Sequence, residues 1–168
     1  MRFVVRSAAA ALAFLVFASP VAVQARDGGI EGVWKVTRVV VTGDNPKTWD
    51  NPQATVWIFS RGYYSAVEDT SQAGRTAAPP PKEPGKRTDA EKPANYAEWA
   101  QFSAAAGTYE VKGSTLIQHP IVAKSLSSLT PSDQPSELRL SGDTAVLVIK
   151  SRPGEPVSEE TVTLKRLR

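Results

Sequence analysis

His119 is the only histidine of the chain, and the chain has no cysteine. A histidine titrates near neutral pH and can serve as a general base, so His119 is the first residue to consider for catalysis. The sequence has no G-x-S-x-G motif, and no second histidine or run of acids near His119 that would complete a metal site. The sequence therefore identifies no catalytic residue, metal site or cofactor, and a structural or rim position for His119 is the simpler interpretation.

Arg38 is the second residue with chemical potential, because of the strand in which it lies. Residues 32–41, GVWKVTRVVV, alternate apolar and polar side chains, which is typical of a strand with one buried face. Counting from Trp34, alternation places Val36, Arg38 and Val40 on that face. A buried arginine is costly unless it is paired. We therefore expect Arg38 either to pair with an acidic neighbour or to anchor the carboxylate of an apolar ligand.

The first 25 residues are typical of a signal peptide. Two arginines precede an apolar run that ends in VQA, with small residues where signal peptidase cleaves. The alternative is a membrane-spanning helix, but the apolar run is short and Pro20 interrupts it. We expect cleavage after Ala25, a periplasmic or secreted protein, and no stable membrane anchor after cleavage.

Removal of this leader leaves 143 residues with a formal charge of +1. This length is sufficient for one domain, residues 26–168, with a substantial core. The small net charge gives no basic field of the kind that nucleic-acid binding requires. The lack of cysteine excludes thiol catalysis and thiolate metal sites, and it leaves stability to packing and hydrogen bonds.

Most of the domain is typical of β-strands joined by short turns. Turn residues fill 42–52, and residues 123–135 form an irregular segment or an edge strand. The connections are mostly of hairpin length and no strand–helix alternation occurs, which favours an antiparallel up-and-down barrel of eight strands over a sandwich. The predicted strands lie within residues 32–41, 54–60, 63–68, 107–122 (two strands), 136–151 (two strands) and 159–167.

Two segments interrupt the strand pattern. Residues 69–93 contain five prolines, many charges and no large apolar residue, so we expect a flexible insertion, with a functional lid as the alternative. One short helix is predicted from Asn95, which forms a capping-box pattern with Glu98, to a stop at Gly107. Five residues share one side of this helix and are expected to pack on the core: Tyr96, Trp99, Phe102, Ser103 and Ala106.

The opening motif GVWKV, residues 32–36, resembles the G-x-W signature of lipocalin barrels. Three further segments are similar to the bacterial lipocalin-like domain family: WIFSRGYYSA (57–66), AAAGTYEVKGSTLIQH (104–119) and LRLSGDTAVLVI (138–149). The resemblance covers nearly all of residues 30–167 and implies a lipocalin-like barrel that binds small molecules. The long insertion and the alanines before Gly107 depart from the family pattern.

The resemblance also implies structural roles at the closed end of the barrel. Trp34 would plug that end, covered by a cation from the last strand, for which Lys165, Arg166 and Arg168 are candidates. Such a cation over an indole contributes roughly 0.5–2 kcal/mol. Gly32 would leave room for this crowded arrangement.

An eight-stranded barrel has an interior that side chains fill or that holds one small ligand. Tyr63 and Tyr64 lie on opposite faces, and we expect Tyr63 to face the lumen. The candidate lumen residues are Val36, Arg38, Val40, Trp57, Phe59, Tyr63, Tyr109, Val111 and His119.

The function expected from this barrel is binding of a small apolar or amphipathic molecule in the lumen. Two alternatives remain open at the level of sequence. One is a cofactor-independent enzyme of isomerase or cyclase type, which would use His119 or a lumen tyrosine. The other is a filled barrel that acts through protein contacts, for which residues 69–93 are a candidate surface.

Overall fold

The computed structural model describes residues 29–151 and 154–168. The expected leader, residues 1–25, lies outside the described residues. The elements in chain order are β1 Gly32–Gly43, β2 Lys47–Asp50, β3 Thr55–Ser60, β4 Tyr63–Asp69, α1 Lys92–Ala100, β5 Phe102–Lys112, β6 Thr115–Ala123, a 3-10 turn Leu126–Leu129, β7 Gln134–Ser141, β8 Thr144–Lys150 and β9 Ser158–Arg166.

Eight of these strands close an antiparallel barrel. Strands β3 to β9 pair in sequence order, and β1 pairs with β3 on one side and with β9 on the other. Trp34 therefore lies opposite Trp57 in β3 and opposite Arg166 in β9. The predicted fold class, an all-β antiparallel eight-stranded barrel with one short helix, is confirmed.

One extra strand, β2, was not predicted. Its four residues lie within the segment 42–52 that was expected to be turn, and they pair with the second half of β1, Arg38 to Val41. The first half of β1 pairs with β3 instead, at Gly32 to Trp34. Because β3 leaves β1 after Trp34, the rest of that β1 edge has free backbone groups, and β2 returns to pair with them.

The inward side chains of the barrel form one apolar core. On β1 and β3 these are Trp34, Val36, Trp57 and Phe59, and alternation brings Tyr64 of β4 onto the same side. The opposite wall contributes aliphatic residues from the later strands: Leu116, Leu138, Leu147, Val162 and Leu164. The core is densest towards the end of the barrel at which Trp34 lies.

The helix prediction was partly wrong. Helix α1 ends at Ala100, and Phe102 to Ala106 belong to β5, where they pair with β4 and continue the barrel wall. Gly107 is thus a buried strand residue and not a helix stop. Its lack of a side chain has another cause: a Cβ here would overlap the backbone carbonyl oxygen of His119 on β6.

The expected packing of the helix on the core was also wrong. Helix α1 has no buried residue, and Tyr96 and Trp99 are 75% and 51% exposed. Trp99 instead packs edge-on against Phe102, with ring centroids 5.8 Å apart. No helix in the described part of the chain is long and apolar enough to cross a membrane.

The segment between β4 and α1 has no strand or helix of its own. Hydrogen bonds connect it to α1, since the Glu98 carboxylate accepts from the backbone N–H of Ala78 at 2.9 Å. Within the segment, the Glu91 carboxylate accepts from the backbone N–H groups of Lys82 and Thr88. Flexibility of residues 69–93 remains a prediction.

Candidate functional site

The closed end of the barrel is built around Trp34, which is fully buried. Its indole Nε1 donates to the backbone carbonyl of Ile30 at 2.7 Å. The guanidinium carbon of Arg166 lies 4.1 Å from the centroid of the indole ring. Arg166 also donates to the carbonyl oxygens of Gly29, at 2.9 Å, and of Glu31. This end is therefore sealed by an indole and a cation that together tie down residues 29–31.

Gly32 supplies the space in which Arg166 lies. A Cβ at this position would overlap the Arg166 guanidinium, and the backbone φ of +136° is one that other residues rarely adopt. The structure therefore places Gly32, Trp34 and Arg166 together, in the arrangement that the sequence resemblance implied.

The opposite end of the barrel contains a cavity of about 630 Å³. Its floor and walls are the indole of Trp57 and the aliphatic side chains of Val36, Val39, Ile149 and Val162. The cavity reaches the barrel rim, which residues 48–53 and 69–72 form. Its volume lies within the range of roughly 300–1,000 Å³ that small-molecule sites occupy.

Two glutamates, Glu68 and Glu160, enter the lumen beside these apolar side chains. Glu68 follows Tyr64 and Ala66 on the inward face of β4, and Glu160 precedes Val162 and Leu164 on the inward face of β9. An even spacing along a strand keeps side chains on the same face. The same alternation that buries the apolar residues therefore carries both carboxyl groups inside.

The two carboxyl groups differ in their partners. Glu68 Oε1 accepts a 2.6 Å hydrogen bond from the Trp57 indole Nε1. Burial raises the pKa of Glu68, and the indole hydrogen bond offsets part of that rise. Burial also raises the pKa of Glu160, and the negative charge of Glu68 raises it further. Within the described residues, no hydrogen bond or ion pair joins the Glu160 carboxyl to the protein.

The acids at the rim are paired, unlike those inside. Asp50 forms an exposed 3.1 Å ion pair with Arg38. Asp69 accepts hydrogen bonds from the backbone and hydroxyl of Ser71 and lies 3.6 Å from Arg75. The Ser71 hydroxyl chiefly, and Arg75 in addition, lower the pKa of Asp69. Among the described residues, the rim acids therefore have cationic partners and the two inner acids do not.

The lumen predictions for Arg38 and Val40 were wrong. The pairing of β1 with β9 shifts register between Val36 and Arg38, so Thr37 is an extra residue that reverses the alternation. After this bulge Val39 faces the cavity, and Arg38 is exposed. Arg38 pairs with an acidic neighbour, one of the two outcomes expected for it, but it does so outside the barrel.

Among the predicted aromatic residues, Trp57 lines the cavity, while Phe59 and Tyr109 belong to the packed core below it. Their rings meet edge-on with centroids 5.1 Å apart. The prediction for Tyr63 was wrong, because Tyr63 is 64% exposed and its neighbour Tyr64 is the buried one.

Another candidate, Val111, also lies outside the cavity. Val111 is 44% exposed near the end of β5, beyond the packed core. Val36 lines the cavity as expected. The cavity thus receives Val36 and Trp57 from the predicted set, and it adds two acidic residues that the prediction omitted.

His119 lies on the outer face of the barrel, so its prediction as a lumen residue was wrong. Leu116 of the same strand is fully buried, and the odd spacing of three residues turns His119 the other way. Its Nδ1 lies 2.9 Å from Asp133 Oδ1, and its Nε2 lies 3.6 Å from Glu110 Oε1. Both ring nitrogens thus face surface carboxylates, and of its two candidates the enzyme alternative keeps only a lumen tyrosine.

The sequence contains a signal for the two missed glutamates. Counting by twos back from Val162 and Leu164 reaches Glu160, and counting forward from Tyr64 reaches Glu68. The first count assumes that an inward face can include an acid, and the second requires Tyr64 to be the inward tyrosine.

Among the described residues, no group of three or more histidine, cysteine or acidic side chains is arranged to hold a metal ion.

A second hollow lies outside the barrel, between residues 70–79 and helix α1. Its volume is about 730 Å³, but small and polar residues line it and it contains no aromatic side chain. The lumen cavity is the better candidate site, because it combines an aromatic surface, aliphatic walls and buried ionisable groups.

Comparison with known proteins did not identify a family for this chain. No family model matches the sequence, and no curated protein matches it. A crystal structure of an uncharacterised protein from Bacteroides eggerthii is similar to 82% of this chain and 98% of that chain, with 8% sequence identity and a TM-score of 0.43. This likeness is too distant to bear on fold or function.

Proposed function

We propose that this protein is an exported, lipocalin-like barrel that binds a small, largely apolar molecule in its lumen. The observation that carries the proposal is the cavity of about 630 Å³ above Trp57, with aliphatic walls and an opening at the rim. A filled barrel acting through protein contacts would need no such space.

Burial of apolar ligand surface would drive binding. Each methylene transferred from water contributes about 0.8 kcal/mol, so a seven-methylene chain gains up to about 6 kcal/mol. Loss of translational and rotational freedom opposes this gain by a comparable amount. A gain of about 6 kcal/mol with no opposing cost would correspond to a Kd of roughly 40 μM, so for an eight-carbon probe we expect a Kd in the millimolar range or weaker.

Tryptophan fluorescence tests the proposal, because the four tryptophans lie in different places. Trp34 is sealed at the closed end, Trp49 lies at the rim, Trp57 lines the cavity and Trp99 is on the exposed helix. Titration with octanol should change the emission of the wild-type protein. Trp57→Phe should lose most of this change, whereas Trp99→Phe should retain it.

Two results would count against the proposal. No emission change with octanol, octylamine or octanoate in a protein that is folded by circular dichroism would remove lumen binding. A change that persists in Trp57→Phe and disappears in Trp99→Phe would place the probe on the helix instead of in the lumen.

The proposal includes export, which rests on the sequence of residues 1–25. Expression of the full chain in a Gram-negative bacterium should yield periplasmic protein whose mass corresponds to a start at Arg26. Full-length protein retained in the cytoplasm would contradict this part of the proposal and leave the binding proposal standing.

A further inference from the structure

We infer that the lumen selects a cationic amphiphile, a molecule with an apolar body and a protonated amine. This inference rests on the proposed lumen binding and names the class of ligand. It follows from the composition of the cavity wall, in which the described residues include acidic side chains and no basic ones.

The cavity wall within the described residues includes four carboxylates: Asp50, Glu68, Asp69 and Glu160. No lysine, arginine or histidine of the described chain belongs to that wall. Arg38 and Arg75 compensate the two rim acids from outside it. Among the described residues, the two inner acids therefore meet no cation.

An uncompensated carboxylate in an apolar enclosure is costly, and the cost disappears only with a proton or a counter-charge. A ligand ammonium group would supply that counter-charge and donate hydrogen bonds to carboxylate oxygens. A ligand carboxylate would add a like charge to the same space. The wall thus favours amines over acids, the reverse of the anionic ligand that a lumen arginine would have selected.

The two inner carboxyl groups would contribute unequally to binding of the ligand ammonium group. Glu68 is held by the Trp57 indole N–H at 2.6 Å, which fixes one carboxylate at the aromatic wall. Glu160 has no such partner among the described residues, so both of its oxygens are available to a ligand donor. The apolar body of the ligand would lie against Trp57, Val39 and Ile149, which line the same cavity.

Calorimetric titration with octylamine, octanol and octanoate tests this inference, because the three probes share a chain and differ in the head group. We expect octylamine to bind about tenfold more tightly than octanol, and octanoate to bind more weakly than octanol. Glu160→Gln should weaken octylamine binding about tenfold and leave octanol binding within about twofold. A tenfold change in affinity corresponds to about 1.4 kcal/mol.

Glu159→Gln is the matched control. It removes the same charge from the neighbouring residue of β9, which alternation places on the outer face. Glu68→Gln is a second lumen variant. It removes the carboxylate but keeps an amide oxygen that can accept the hydrogen bond from the Trp57 indole N–H. Both lumen variants should weaken octylamine binding, and the control should not.

The outcomes separate the two proposals. Octanol or octanoate binding as tightly as octylamine would overturn the amine inference and leave lumen binding intact. Octylamine binding that Glu159→Gln weakens as much as the lumen variants would place the amine on the outer surface and overturn the inference. No heat with any probe at two well-separated temperatures, together with no change in tryptophan emission, would remove the proposed function itself.

Discussion

Replacement of Arg166 by methionine tests how the closed end of the barrel is held. The substitution keeps an apolar stem and removes the guanidinium that lies 4.1 Å from the Trp34 ring centroid. A cation over an indole contributes roughly 0.5–2 kcal/mol. The two hydrogen bonds to the carbonyls of Gly29 and Glu31 contribute roughly 1 kcal/mol each after allowance for partial exposure. Arg166→Met should therefore lower the free energy of unfolding by about 2–4 kcal/mol.

Urea unfolding followed by circular dichroism measures this loss. Arg166→Lys should lose less than the methionine variant, because it keeps a cation but cannot donate to both carbonyls. Arg168→Met is the matched control, because the Arg168 side chain is 86% exposed and pairs with Asp143 at the surface. This substitution should lower the free energy of unfolding by less than about 1 kcal/mol. Equal stability of the Arg166→Met and Arg168→Met variants would refute the role given to Arg166.

Three further predictions concern the barrel wall and the lumen. Gly107→Ala should cost more than about 2 kcal/mol of unfolding free energy, because the new Cβ would overlap the His119 carbonyl; an unchanged melting temperature would contradict this. Burial raises the pKa of Glu160 in the folded state. Between the unfolded-state pKa and the folded-state pKa, the folded protein keeps a proton that the unfolded chain has lost. The free energy of unfolding therefore falls as pH rises through this interval, by at most about 1.4 kcal/mol per pH unit. Glu160→Gln should therefore gain stability over wild type between pH 4 and pH 8 in urea titrations, and a constant difference would rule this out. Arg38→Met should change stability by less than about 1 kcal/mol and leave octanol affinity unchanged, because the pair with Asp50 is exposed; loss of octanol binding would return Arg38 to the site.

The sequence predicted the barrel for a clear physical reason, whereas its closed end was implied by the resemblance to lipocalin barrels. Alternation of apolar residues in β1 and β3 places Trp34, Trp57 and Phe59 on one face, and short turns leave few topologies for successive strands. Trp34 and Gly32 lie before any irregularity of β1, so counting by twos was reliable for them. The same count failed beyond Thr37.

The irregularities that alternation cannot reveal account for most of the errors. The bulge at Thr37 depends on the register of β1 against β9, which is more than a hundred residues away along the chain. The end of α1 was misplaced because Phe102 and Ala106 fit a helical pattern as well as they fit β5. Pairing with β4, which no local window contains, decided between the two.

The acidic lumen was missed for a different reason. Glu68 and Glu160 lie at the open ends of their strands, and acids there are usually read as solvent-facing. Only closure of the barrel, with β2 and residues 69–72 around its rim, encloses them. The sequence therefore predicted two side chains of the cavity wall, Val36 and Trp57, but not the acidic residues that would select a ligand.

Calorimetric titration of octanol into a cavity-filled variant tests lumen binding most directly. Val39 lines the cavity, so Val39→Trp would occupy its space, whereas Val33→Trp would place the same indole on the outer face of the same strand. We predict that Val39→Trp folds and loses octanol binding while Val33→Trp binds as wild type does. Octanol binding of wild-type strength in a folded Val39→Trp variant would contradict the account.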